Sequence, residues 1–325
     1  ETERQGEVLA DRKAMWGDVI GGLREAARDG KPVTRVRYAW GDSAITNLTD
    51  DAVTALKSRW NGGHALWLSH GVAAEFPVAA LPADFEQMWE EWQEDGLDLA
   101  IVPTAGRRKS VLLADMDSTM IGQECIDELA GTLGLKDHVA RITERAMRGE
   151  IAFEPALRER VALLKGLPQT VVGEVIETRI KLTPGGRTLV ATMRAHGAYT
   201  CLVSGGFTMF THVIGAMIGF DEDRSNVLLV DGGRLSGLVQ EPILGREAKL
   251  ETLVELRQRF GLAPEDTLVT GDGANDIPMI EAAGLGVAYH GKPAVAQAAA
   301  ARIDHGDLTA LLYAQGYARS AFAGG

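Results

Sequence analysis

The sequence predicts an α/β protein: a doubly wound parallel sheet with a helical cap inserted after its first strand, preceded by a smaller α+β module of ferredoxin-like order. Three observations predict it. Beyond residue 110, the short apolar runs Val111–Ala114, Tyr199–Val203, Thr267–Thr270 and Leu285–Tyr289 each lead into a polar or Gly-rich turn. Such runs, alternating with helices, read as parallel strands covered on both faces. Between the first run and the second lie far more residues than one helical crossover needs. All six tryptophans precede residue 93 and both cysteines follow residue 120, a compositional break that marks a domain boundary.

Taken in order, Met15, Val19, Ile20 and Leu23 recur at helical spacing and predict a leading helix. A strand is expected over Val33–Trp40 and a helix over about 49–60. Short strands at 65–69 and 72–78 surround Gly71, and Phe85, Met88, Trp89 and Trp92 mark the buried face of another helix. A last strand at 97–102 completes βαββαβ, the split βαβ arrangement. The basic stretch Thr104–Lys109 reads as a solvated linker. The units are therefore 1–103, a linker at 104–110, and 111–325. Within the last, helices are expected at about 123–134, 138–148, 154–165 and 169–180. Together they make a cap over about 122–184, where a lid can exclude water and orient a ligand.

Composition narrows the function. With 46% apolar and 24% charged residues the chain is an ordinary globular protein. No apolar run reaches the length of a membrane span, and the first residues lack the layout of a secretory signal. A cytoplasmic protein without a membrane partner is expected. A net charge of −12 argues against nucleic acid as a partner. Cys125 and Cys201 form no metal spacing and are expected to be reduced, buried thiols. The tryptophan-rich N-terminal region suggests a homodimer formed through it.

Ligand sites in parallel sheets lie at the carboxyl ends of the strands, and the polar clusters sit there. Asp115 and Asp117 follow the first run. One carboxylate can attack phosphorus; the other can give and take a proton. Alone, this Asp-x-Asp would be a solvated loop. A second cluster, Gly271-Asp272-Gly273-Ala274-Asn275-Asp276, changes the balance. Magnesium takes a few carboxylates together with other oxygens, and Asp115, Asp272 and a backbone carbonyl of the first loop would suit it. Ser204, before Gly205 and Gly206, offers a hydroxyl and amides to an anion, or simply an N-cap. Lys249 could meet a phosphate oxygen, although alone it reads as a surface lysine. Arg246 is equally ambiguous and is left out of the site.

With these four motifs in order, the chain resembles haloacid-dehalogenase-type phosphatases. The likeness extends to the phosphoserine phosphatases of that family. It is carried by DMDSTMIGQECIDELA at 115–130, ITERAMRGEIAFEPALRERVALLKG at 142–166, VSGGFT at 203–208 and GDGANDIPMIEAAGLGVAYHGKP at 271–293. The resemblance implies hydrolysis of O-phosphoserine to serine and phosphate, the last step of serine biosynthesis, through an aspartyl phosphate on Asp115. It implies Asp117 as general acid and base, and Ser204, Gly205 and Lys249 as phosphate ligands. It implies magnesium on Asp115, Asp272 and the backbone carbonyl of Asp117, with Asp276 behind them. In the cap it implies that Glu124 meets the substrate ammonium and Arg160 its carboxylate. Met147 and Phe153 would lie over the substrate, and Asn275 would touch it. The N-terminal module would be ACT-like, as in many bacterial relatives. Read alone, Glu124 would be a first-turn acid and Arg160 part of a solvated helix face. Other phosphate esters, phosphoryl transfer to an alcohol and a non-catalytic sensor remain alternatives. No G-x-x-x-x-G-K-[ST] or Rossmann spacing is present.

Overall fold

A computed structural model describes residues 33–39, 48–147 and 150–324. The expected leading helix around Met15, Val19, Ile20 and Leu23 lies outside the described residues, as do Trp16 and Trp40. The chain divides into two compact units. One holds the described residues up to Arg108 with Asp304–Gly306 and Ala310–Ala321; the other holds Lys109–Ile303, Asp307–Thr309 and the residues from Phe322. The expected cut at 104–110 is therefore joined by a return of the C-terminal segment to the first unit.

In the first unit the order is β1 (Val33–Ala39), α1 (Asp50–Arg59), β2 (Leu66–Ser69), β3 (Ala73–Val78), α2 (Phe85–Glu94) and β4 (Leu97–Pro103). The strands form an antiparallel sheet in the order β2-β3-β1-β4. Thr49 caps α1 by accepting from the Ala52 N–H at 3.2 Å, and Asp50 and Asp51 favour its first turn. Ala74, Phe76, Val78, Leu97 and Leu99 point from one sheet face into a core with Val53, Leu56, Trp60, Met88 and Trp92. Trp67 and Trp89 pack against it, so four tryptophans serve the unit's own interior.

Alternation puts Ala73, Glu75, Asp98, Ala100 and Val102 on the opposite face, and these are buried too. Two carboxylates there need partners. Glu75 accepts two hydrogen bonds from Arg107, at 2.5 and 2.9 Å. Asp98 accepts the N–H groups of Asp304, His305 and Gly306 at 2.8, 3.1 and 2.8 Å. Beyond this grip the helix Ala310–Ala314 packs on β1, with every residue buried. The C-terminal segment is thus tied to the first unit by a buried carboxylate. Asp98→Ala strands buried N–H donors and is expected to destabilise the protein by on the order of 1–3 kcal/mol. An unchanged urea midpoint would contradict this.

The linker is solvated in part, with Ala105, Gly106 and Arg108 exposed. Arg107 is taken up by Glu75, Arg108 lies 4.5 Å from the Tyr317 ring centroid, and Lys109 Nζ donates to the Glu265 carbonyl at 2.6 Å. Lys109 is buried and Arg107 half-buried because their heads find acceptors, while Arg108 stays exposed.

The second unit has a six-stranded parallel sheet, β12-β11-β10-β5-β6-β7. Its strands are β5 (Val111–Ala114), β6 (Tyr199–Phe207), β7 (Glu222–Asn226), β10 (Thr267–Gly271), β11 (Leu285–Tyr289) and β12 (Ala301–Ile303). Every residue of β5 and β10 is buried, as helices on both faces require. Between β5 and β6 run α3 (Cys125–Thr132), α4 (Lys136–Met147), α5 (Phe153–Ala162), α6 (Val171–Thr178) and α7 (Gly186–Ala195). The first four lie where the helical insertion is expected. After β6 come α8 (Thr208–Ile218), β7, the hairpin β8 (Leu228–Asp231) and β9 (Arg234–Val239), and α9 (Arg246–Phe260). The strand β7, Glu-Asp-Arg-Ser-Asn, has no apolar signature. It is tolerated because Arg224 pairs with Glu222 and Glu255, while Asp223 accepts from Thr211 at 2.7 Å.

Candidate active site

Three strand ends meet in one cavity of about 500 Å³. Asp115 leaves β5 with its N–H donating to the Thr270 carbonyl of β10 at 3.0 Å. Its Oδ1 accepts the Met116 N–H at 2.8 Å. The turn Met116–Met120 then departs from helical geometry at Asp117 and Ser118. Ser118 has φ 56°, a left-handed conformation unusual for a side-chain-bearing residue. Its N–H donates to the Gln123 carbonyl at 3.3 Å and its hydroxyl to Glu124 Oε1 at 2.8 Å. The turn brings Asp117 into the cavity wall, where Oδ1 accepts the Cys125 N–H at 3.2 Å.

The carboxyl end of β6 supplies the facing wall. Ser204 is not a helix cap: β6 continues to Phe207 before α8 begins, with an irregular register against β7 after Val203. Its Oγ accepts the Gly206 N–H at 2.8 Å, leaving its own hydrogen free to point to a ligand. A Cβ on Gly206 would lie 2.9 Å from Ser204 Oγ and 3.1 Å from Asp117 Oδ2, so the hydroxyl and the carboxylate face one spot that only glycine leaves open. Asn226 holds this strand end in place. Its Nδ2 donates to the Gly205 and Leu244 carbonyls at 2.9 and 3.1 Å, and its Oδ1 accepts the Leu244 N–H at 2.6 Å.

Lys249, read alone as a surface residue, is completely buried. Its Nζ lies 2.8 Å from Asp115 Oδ1 and 2.7 Å from Asp276 Oδ1. Asp276 Oδ2 accepts the Gly273 N–H at 3.0 Å, and Asp272 Oδ1 accepts the Thr119 hydroxyl at 3.3 Å. Carboxylate oxygens of Asp115, Asp272 and Asp276 lie within 4.8 Å of one another. Three buried carboxylates against one buried ammonium leave excess negative charge, and an all-oxygen donor set of this kind fits a hard divalent cation. Burial, reinforced by Asp276, pushes Asp272 up to about 6, and Asp115 is driven well above the usual carboxylate range for the same reasons. Burial works against the Lys249 ammonium, yet Asp115 and Asp276 outweigh it and hold its pKa above that of an ordinary lysine. Burial, then the charge of Glu124, raises Asp117 to about 7, which suits a group that must donate and accept a proton near neutrality.

The cap supplies the far end. Arg160, on α5, is only 8% exposed, whereas its neighbours Arg158 and Glu159 pair outward with Glu154 and Arg145. Its Nε donates to the Ala156 carbonyl and its Nη1 to Thr143 Oγ1, both at 3.2 Å. Glu124 precedes α3 without capping it and lines the same cavity. Phe153 closes over Gly205, its ring 3.3 Å from where a Cβ there would stand. Asn275 also lines the cavity. Met147 ends α4, and its side chain lies outside the described residues. Sequence reasoning passed over Ser118, Thr143 and Asn226, whose parts depend on hydrogen bonds. It also set aside Arg246, which together with Lys292 lines the cavity.

One end of the cavity thus suits an oxyanion beside a divalent cation, and the other offers one cationic and one anionic group. A family model described as haloacid dehalogenase-like hydrolase matches residues 112–281. A phosphoserine phosphatase of Polaromonas sp. is 47% identical over 203 residues, 61% of this chain and 86% of that one. A phosphoserine phosphatase of Archaeoglobus fulgidus is 42% identical over 228 residues, 70% of this chain and 66% of that one. The crystal structure of a probable phosphoserine phosphatase from Vibrio cholerae, in unliganded form, matches with a TM-score of 0.71 at 31% identity. That match covers 90% of this chain and 88% of the other.

Proposed function

Because the chain belongs to the haloacid dehalogenase-like hydrolases, we propose that it is a phosphoserine phosphatase, hydrolysing O-phospho-L-serine to L-serine and phosphate. The observation that carries this reading is one cavity lined by Asp115, Asp117, Asp272, Arg160 and Glu124, with the Asp115 carboxylate held from behind by buried Lys249, itself paired to Asp276. Phosphoserine presents a phosphate, a carboxylate and an ammonium, and the cavity has a complement for each.

Asp115 attacks phosphorus in line, the bond from phosphorus to the serine oxygen breaks, and Asp117 gives that oxygen its proton. Asp117 then takes a proton from water, which attacks phosphorus and frees phosphate from Asp115. An ammonium carries three N–H groups, and Lys249 engages two with Asp115 and Asp276, so the third is left for a phosphate oxygen. The Ser204 hydroxyl and the Gly205 amide serve the other oxygens. Asp115, Asp272 and the Asp117 carbonyl, with Asp276 behind them, would hold magnesium, which neutralises phosphate charge when bound. Arg160 grips the carboxylate, Glu124 meets the ammonium, and Phe153 and Asn275 enclose the substrate.

Arg160→Ala is expected to raise KM for phosphoserine by roughly 10- to 100-fold with kcat little changed. A panel of phosphate monoesters tests the substrate. Comparable kcat/KM for esters lacking an amino acid head group would sink the phosphoserine reading.

The βαββαβ order of the first unit supports an ACT-like regulatory module as part of the same reading. Self-association through that unit would leave Trp60 and Trp92 in its core and draw on its outer surface, where Trp67 and Trp89 are only partly buried; light scattering decides. A cytoplasmic location also belongs to the proposal, supported by the buried free thiols of Cys125 and Cys201. Among the described residues no helix is long and apolar enough to cross a membrane.

A further inference from the structure

Arg160 can read a carboxylate only if its guanidinium is aimed, and the contacts around it show how. A guanidinium has five N–H groups. The Nε–H of Arg160 is engaged by the carbonyl of Ala156, one turn back on its own helix, at 3.2 Å. One Nη1–H is engaged by Thr143 Oγ1 on α4, also at 3.2 Å. The Thr143 hydroxyl in turn donates to the Val139 carbonyl at 3.2 Å. Its hydrogen is therefore committed, and the oxygen faces the guanidinium as an acceptor. Thr143 itself lines the cavity. The guanidinium is pinned at two corners from two helices. The N–H groups left over sit on Nη1 and Nη2, so a carboxylate meets the terminal pair of nitrogens rather than the Nε side of the fork.

We propose that Thr143 is a positioning residue that sets the orientation of Arg160 and with it the selectivity for substrates carrying a carboxylate. This rests on the reading of Arg160 as the carboxylate site. Valine matches threonine in shape but cannot accept the Nη1–H, so Thr143→Val releases one corner of the guanidinium. Serine keeps the acceptor.

The test compares wild type, Thr143→Val, Thr143→Ser, Arg160→Ala and the Val/Ala double variant on O-phospho-L-serine and on O-phosphoethanolamine, which lacks the carboxylate. Thr143→Val should raise KM for phosphoserine roughly tenfold, the worth of one hydrogen bond to a charged group, with kcat within about twofold. KM for phosphoethanolamine should not move, and Thr143→Ser should restore the phosphoserine value. In the Arg160→Ala background the valine should add nothing, because the two residues act as a unit. An equal shift on both esters, or a full shift in the absence of Arg160, overturns the proposal. A wild-type preference for phosphoserine that Thr143→Val leaves intact overturns the proposal alone. A wild-type protein that treats the two esters alike overturns the reading of Arg160 as well.

Discussion

Asp115→Asn is expected to lower kcat for phosphoserine on the order of 10,000-fold or more, since a neutral amide oxygen cannot form the acyl phosphate and residues acting as a unit fail together. The fold should survive. An asparagine carbonyl can still accept the Met116 N–H, and Lys249 keeps Asp276. Asparagine also removes a carboxylate whose charge burial, and then the neighbouring Asp276, already disfavours. The thermal midpoint in metal-free buffer should therefore stay level or rise. Single-turnover phosphate release and a melting curve check both halves. Near-full turnover would remove Asp115 as nucleophile. A large fall in the midpoint would show that its charge holds the fold.

Lys249→Met should also abolish turnover but with the opposite stability signature. The ammonium sits between Asp115 and Asp276 without access to water. Methionine fills much of the stem's volume and leaves the carboxylates without their counter-charge. Removing one partner of a buried ion pair costs about 3–5 kcal/mol, so the melting midpoint should drop clearly in chelating buffer. Added magnesium should recover part of the loss by neutralising the same carboxylates. An unchanged midpoint under chelation would mean that the cluster is already protonated, and the charge-balance argument for a divalent cation would fail.

Local pattern made the strands of the parallel sheet and their acidic ends legible in the sequence. Val111–Ala114 and Thr267–Thr270 are buried on both faces, so their apolar runs stand out, and the acids after them fall where parallel sheets bind ligands. Lys249 and Arg160 were not legible from pattern. Each lies among charged neighbours on a helix, and only family resemblance separated them from surface residues. Their burial comes from elements far off in the chain. Asn226 acts through Gly205 and Leu244, and Ser118 through Glu124, contacts that no periodicity announces. The polar strand β7 was hidden because its charges are paired across to other elements. The placement of Ala310–Ala314 against β1 depends on Asp98 gripping residues 304–306, a contact made across most of the chain.

The most direct measurement is release of phosphate from O-phospho-L-serine by the purified chain, with magnesium and with a chelator in its place. The expected result is catalytic release with magnesium, collapse to background under chelation, and recovery when excess magnesium is returned. Background release at all phosphoserine concentrations with magnesium present, or equal release under chelation, would contradict a metal-assisted phosphatase built on Asp115.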